Sequence, residues 1–115
     1  MKYLKIKKNS DFQRLFKKGK KAFSPYLTLI YFPSDKLSMG IAVSKKHGKA
    51  VVRNRVKRIV RAAFSNCLDN LSGNYSIIVM PRVAEEYSYE KIRDGLNICF
   101  KKVNACEKGR VAEKS

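Results

Sequence analysis

The sequence is poor in acidic residues and holds a single histidine. Of its 115 residues only 9 are Asp or Glu, against 26 Lys and Arg, and the formal net charge is +17. The carboxylates are scattered, so no closely spaced set suggests a metal site or a general acid–base pair. The histidine, His47, lies in a lysine-rich stretch and reads as a solvated polar contact. The composition therefore argues against catalysis by side chains of this chain.

The chain also lacks the marks of export, of membrane insertion and of metal binding by cysteine. Its longest apolar runs, residues 27–32 and 77–80, are far too short to cross a bilayer, and its N-terminus has no apolar signal core. Cys67, Cys99 and Cys106 are odd in number and widely spaced, which favours structural thiols in a reducing compartment. The sequence thus predicts a cytoplasmic protein that binds no metal tightly.

The excess of positive charge points to a polyanionic partner. A surface with a formal charge of +17 repels itself unless a polyanion neutralises it. Nucleic acid is the natural candidate, and an anionic membrane is the weaker one. The length and the hydrophobic content of 44% suffice for one domain with a modest core.

The most concentrated charge lies in residues 44–64, SKKHGKAVVRNRVKRIVRAAF, which contain no acid. Apolar side chains recur there at helical spacing, which predicts an amphipathic helix with one buried face: Val52, Val56, Ile59, Val60 and Ala63. Arg53, Lys57 and Arg61 should form a row along one edge of this face. Arg53 and Arg55 fall in the first turn, where the helix dipole disfavours cations, so we expect an anion such as phosphate against this end. An ordinary solvated basic face is the alternative.

Periodicity and turn residues outline the rest of the chain. The predicted elements are helices over residues 10–18, 50–71 and 89–103 and strands over residues 21–32, 37–43 and 75–80. Asn9 or Ser10 should cap the first helix and Gly19 should end it. We expect the first two strands to pair as an antiparallel hairpin. The predicted organisation is one nucleic-acid-binding domain over residues 1–103, with a basic arm over residues 1–8 and a polar, disordered tail over residues 104–115.

At this point the sequence resembles a known family, the protein component of bacterial ribonuclease P. The resemblance rests on SKK after a strand, a spacer with Gly48, and RNRVKRIVR opening a helix. NSDFQRLFKKG matches the family's first helix and SYEKI the start of its last, so the match covers about residues 5–103.

The resemblance implies both a fold and a function. The fold is α+β, or an α/β two-layer sandwich: a small mixed β-sheet with about three helices, ribosomal-protein-S5-domain-2-like, with an unusual left-handed β-α-β crossover. The function is that of a protein subunit that binds the catalytic RNA of ribonuclease P and the 5′ leader of precursor tRNA. The RNA subunit, which chiefly binds the Mg²⁺, is expected to remove the leader by hydrolysis.

The resemblance also assigns two sets of contact residues. The basic helix and the loop before it would contact the RNA subunit through Lys45, Lys46, Arg53, Asn54, Arg55, Lys57, Arg58 and Arg61. A cleft between the first helix and the sheet would contact the leader through Phe12, Phe16, Ile30 and Arg82. On pattern alone Phe12 and Phe16 could be core residues instead. Ile30 stands where some relatives have an aromatic side chain, and it can offer apolar contact but cannot stack on a base.

Other functions stay open at this level. A ribosomal or other RNA-scaffold protein would share the charge, the size and the fold class, and is the main alternative. A DNA-binding regulator could use the basic helix, but strands flank that helix on both sides and leave no helix-turn-helix partner. A stand-alone nuclease would need more carboxylates or a second histidine. We expect no membrane contact and no obligate protein partner.

Overall fold

The computed structural model describes residues 3–6, 8–84 and 86–114, with side chains as far as residue 106. Five strands and three α-helices occupy this part of the chain. In order they are β1 (Leu4–Lys5), α1 (Asn9–Lys18), β2 (Lys20–Phe23), β3 (Leu27–Pro33), β4 (Ser38–Ile41), α2 (Ala50–Cys67), β5 (Tyr75–Pro81) and α3 (Tyr89–Lys114). Short 3-10 turns, Lys45–His47 and Leu68–Asn70, flank α2.

The strands form one mixed sheet in the order β1-β4-β5-β3-β2. β3 is antiparallel to both β2 and β5, whereas β4 is parallel to both β1 and β5. The predicted fold class, a small mixed sheet with three helices, is confirmed. α2 connects the neighbouring parallel strands β4 and β5, and the left hand of this crossover stays a prediction.

The core lies between one face of the sheet and the pair α2 and α3. The predicted apolar face of α2 is confirmed, since Val56, Val60 and Ala63 are buried. On α3 the buried residues are Ile92, Leu96, Cys99, Phe100 and Val103. The rings of Phe64 in α2 and Phe100 in α3 pack edge to face, with their centroids 5.7 Å apart. A smaller cluster on the opposite face packs Leu15 of α1 against Ile30 and Ile78.

The predicted hairpin between the strands over residues 21–32 and 37–43 is wrong, because β5 lies between β3 and β4. β3 pairs with β5 over its whole length, from Leu27 opposite Pro81 to Pro33 opposite Tyr75. The middle of β5 is fully buried on both faces, at Ile77, Ile78 and Val79. A strand with two apolar faces buries the most apolar surface at the centre of a sheet, where both of its faces are covered.

The single strand predicted over residues 21–32 is also wrong, because a tight turn divides it into β2 and β3. Ser24 Oγ accepts the N–H of Leu27 at 3.1 Å and donates to the Leu27 carbonyl at 2.9 Å. Pro25 lies in this turn, where its lack of a backbone donor costs no ladder hydrogen bond.

Several helix boundaries differ from the prediction. α1 begins at Asn9, with Lys8 at the N-cap position and no side-chain cap, so the predicted cap at Asn9 or Ser10 is wrong. Gly19 ends α1 as predicted, and its N–H donates to the Leu15 carbonyl at 2.7 Å. α2 stops at Cys67 and passes into a 3-10 turn. No helix within the described ranges is long and apolar enough to cross a membrane.

The two ends of the chain also differ from the predicted arm and tail. Leu4 and Lys5 of the arm form β1, and the Tyr3 ring packs edge to face on Phe64 at 5.1 Å. The lysines at positions 2 and 7 of this arm lie outside the described residues. α3 continues to Lys114, so residues 104–114 are helical where the sequence predicted disorder. No proline interrupts them, and Ala, Glu and Lys favour helix.

The packing predicts unequal reactivity of the three cysteines. Cys67 and Cys99 are buried and Cys106 is exposed. Burial raises the pKa of the Cys67 and Cys99 thiols, and the thiolate is the reactive form. We expect a thiol reagent to modify only Cys106 in the folded protein and all three in urea, as read by mass spectrometry. Equal modification of all three in the folded protein would contradict this packing.

Candidate nucleic-acid interface

The SKK loop, residues 44–48, has a fixed shape. Ser44 Oγ accepts the N–H of Lys46 at 3.3 Å, and His47 Nδ1 accepts the N–H of Ser44 at 3.0 Å. Gly48 has a φ of +121°, a conformation that side-chain-bearing residues rarely adopt. These constraints hold the two lysines of the loop exposed at the entrance to α2.

His47 joins this loop to the C-terminal end of β5 through a hydrogen bond. Since Nδ1 accepts from Ser44, Nε2 carries the hydrogen and donates it to the Pro81 carbonyl at 2.7 Å. The His47 ring also lies 6.2 Å from the ring of Tyr87. The sequence predicted a solvated polar contact, whereas the structure gives His47 a partner at each ring nitrogen.

The first two turns of α2 present the predicted cations. Because α2 begins at Ala50, Arg55 lies in the second turn and not in the predicted first turn. α2 follows Lys49 with no side-chain cap and no acid in its first turn. The predicted row along the packed face is confirmed, since Arg53, Lys57 and Arg61 are half-buried. Beyond this row, Asn54, Arg55 and Arg58 are exposed. Together with the SKK loop they make one continuous surface, which we call the α2 surface.

The charge of the α2 surface is not balanced within the protein. Within the described ranges, no carboxylate forms an ion pair with any of its lysines or arginines. The Nε of Arg53 is buried and has no hydrogen-bond partner there. Buried donors without partners are costly, so this nitrogen is suited to an acceptor that a ligand supplies.

A groove of about 360 Å³ joins the α2 surface to α1. Its lining includes Lys57 and Arg61 of α2, Phe12 of α1 and Lys5 of β1. The two predicted contact sets are therefore contiguous at this point. Lys5 was missed by the sequence reasoning, because a strand of two residues leaves no readable alternation and its pairing with β4 is not local.

Phe12 and Phe16 differ in their surroundings. Phe12 is half-buried over Gly40 of β4, where an added Cβ would lie 2.6 Å from Phe12 Cζ. Phe16, one helical turn further, keeps 42% of its surface exposed. Phe12 thus supports the core and borders the groove, while Phe16 is free to contact a partner.

The other two predicted leader contacts also differ from each other. Ile30 is only 1% exposed and packs beneath α1, so close that a Cβ on Gly19 would lie 2.5 Å from its Cγ2. The prediction that Ile30 offers an apolar contact surface is therefore wrong. Arg82 is exposed directly after β5, and its N–H donates to the Tyr26 carbonyl at 3.0 Å.

An α+β domain with an unbalanced cationic surface has the features of a small polyanion-binding protein. Comparison with known proteins gives the family. The ribonuclease P family model matches residues 1–104. The ribonuclease P protein component of Shouchella clausii is 38% identical over 102 residues, covering 85% of this chain and 84% of that protein. That of Bacillus velezensis is 38% identical over 108 residues, covering 90% and 92%.

Solved structures agree with this match. The RNase P protein of Staphylococcus aureus superimposes with a TM-score of 0.75 at 34% identity, covering 86% of this chain and 94% of that one. The RNase P protein of Thermotoga maritima gives a TM-score of 0.76 at 28% identity, covering 85% and 96%. The chain belongs to the ribonuclease P protein family, which confirms the resemblance inferred from its motifs.

The different burial of the two phenylalanines predicts different costs of truncation. Phe12→Ala should lower the free energy of unfolding by about 2 kcal/mol, because it removes a ring packed on the sheet. Phe16→Ala should cost less than about 1 kcal/mol, since much of its ring is already in water. Urea unfolding followed by circular dichroism measures both values. Equal losses would contradict the placement of Phe16.

Proposed function

We propose that this chain is the protein subunit of a cytoplasmic ribonuclease P that removes the 5′ leader from precursor tRNA. The α2 surface binds the catalytic RNA, and the side of α1 that carries Phe12 and Phe16 binds the leader. The RNA subunit performs the hydrolysis and chiefly holds the Mg²⁺ that the reaction uses.

The observation that carries this proposal is the unbalanced α2 surface. Guanidinium groups bind phosphate oxygens through paired N–H donors, and Asn54 can both donate to and accept from RNA groups. The first turn of α2 adds backbone N–H groups that no acidic side chain occupies. The partnerless Nε of Arg53 fits the same ligand, because a phosphate oxygen or a base acceptor would satisfy it.

The assignment of catalysis to the RNA subunit has support in the titratable residues. Among the residues that the structure describes, no group of three His, Cys, Asp or Glu side chains is placed to hold a metal ion. Both ring nitrogens of His47 are engaged in hydrogen bonds. We therefore assign to the protein the work of binding and positioning.

The groove beside α2 supports a path for the leader. Phe16 offers an exposed ring on which a base can stack, and Phe12 borders the groove one turn earlier. Lys57 and Arg61, which also line this groove, can neutralise phosphates of the same strand. A leader that lies along α1 would thus reach the α2 surface, so the protein would hold substrate and catalytic RNA side by side.

Removal of one α2 cation tests the contact with the RNA subunit. Arg55→Ala should weaken binding to ribonuclease P RNA by about 1–3 kcal/mol, because it removes a charge-assisted contact from an exposed position. Lys101→Ala is the matched control, since it removes one exposed charge from α3 and should change binding little. Filter binding at fixed salt measures both. Equal losses would indicate that the protein binds this RNA only as a polycation.

Phe16→Ala tests the contact with the leader. The holoenzyme should lose about 1–3 kcal/mol of affinity for precursor tRNA with a leader, the worth of one base stacked on an aromatic ring. Its affinity for mature tRNA should stay unchanged. Phe32→Ala is the control, because Phe32 is 45% exposed but lines a different groove with Arg14 and Lys18. Equal losses for both RNAs would remove Phe16 from the leader site.

A further inference from the structure

His47 lies between two segments that the proposed function assigns to different RNAs. On one side its Nδ1 accepts from Ser44, which closes the SKK loop. On the other side its Nε2–H donates to the Pro81 carbonyl, directly before Arg82. This second hydrogen bond, at 2.7 Å, joins residues 34 positions apart in the sequence.

The segment around Arg82 is held at points on either side of that arginine. The Arg82 N–H donates to the Tyr26 carbonyl at 3.0 Å. The Ala84 N–H donates to the hydroxyl of Tyr87 at 3.2 Å, and the Tyr87 ring lies against His47 with an interplanar angle of 33°. The hydrogen bond to the Pro81 carbonyl depends on His47 directly, and the one between Ala84 and Tyr87 depends on it through the contact of the two rings.

We infer that His47 is a positioning residue that couples the SKK loop to Arg82. This inference rests on the proposed function, in which Lys45 and Lys46 contact the catalytic RNA and Arg82 contacts precursor tRNA. Once the loop is seated on the RNA subunit, the bridge fixes the backbone that carries Arg82. Arg82 then loses less conformational entropy when it binds the precursor than it would on a free segment.

The two hydrogen bonds of His47 can be removed separately. In His47→Asn, the side-chain oxygen lies near the position of Nδ1 and can still accept from Ser44, but the side chain is too short to reach Pro81. In His47→Gln, the amide nitrogen extends to the position of Nε2 and can donate to the Pro81 carbonyl. The pair therefore separates closure of the SKK loop from the bridge to β5.

The test uses the holoenzyme reconstituted with ribonuclease P RNA. His47→Asn should raise the KM for precursor tRNA about three- to tenfold, the worth of one hydrogen bond, with kcat little changed. His47→Gln should stay within about twofold of wild type. Affinity for the RNA subunit should change less than about twofold in both, because Lys45 and Lys46 remain. Circular dichroism and urea unfolding confirm that each variant is folded.

A double substitution makes the coupling explicit. Arg82→Ala should raise KM in the wild-type background and add little in the His47→Asn background, because both changes remove the same contact. Fully additive losses, a KM for His47→Asn equal to that of wild type, or a loss in His47→Gln as large as in His47→Asn would overturn the inference. Failure of the proposed function looks different: the wild-type protein would not improve precursor binding at all, and the inference would fall with it.

Discussion

The packing of the apolar stripe of α2 against the sheet and α3 is the contact on which the functional surface depends. Val56, Val60 and Ala63 are completely buried, and a helix with one face fixed has every other side-chain direction fixed too. Arg53, Lys57 and Arg61 are thereby held at the edge of the core, and Arg55 and Arg58 point into solvent. The same helix supplies core and cationic surface, so the packing that fixes its backbone also fixes the positions from which the cations project.

This arrangement carries an electrostatic cost that a partner can relieve. Cations concentrated on one surface repel each other, and within the described part of the chain no carboxylate pairs with them. A bound polyanion would remove that repulsion and stabilise the folded state by mass action. The groove between Phe12 and Arg61 places the two proposed RNA contacts on one edge of the domain. A small protein can in this way contact a catalytic RNA and its substrate together.

The local features of the structure could be predicted from the sequence, and the non-local ones could not. The buried faces of α2 and α3 and the row from Arg53 to Arg61 follow from helical periodicity, which short stretches reveal. The insertion of β5 between β3 and β4 could not be read, because strand pairing depends on distant segments. Both faces of β3 are apolar, so the pattern could not show that α1 covers Ile30. The bridge from His47 to Pro81 likewise joins segments whose proximity only the folded sheet creates.

Cleavage of precursor tRNA at low, near-physiological Mg²⁺ is the most direct test of the central claim, that this protein supports catalysis by binding RNA. The reaction is run with ribonuclease P RNA alone, with the protein alone and with both. The account predicts slow cleavage by the RNA, none by the protein, and rapid, accurate removal of the 5′ leader by the two together. Leader removal by the protein alone, or no gain on adding it to the RNA, would contradict the account.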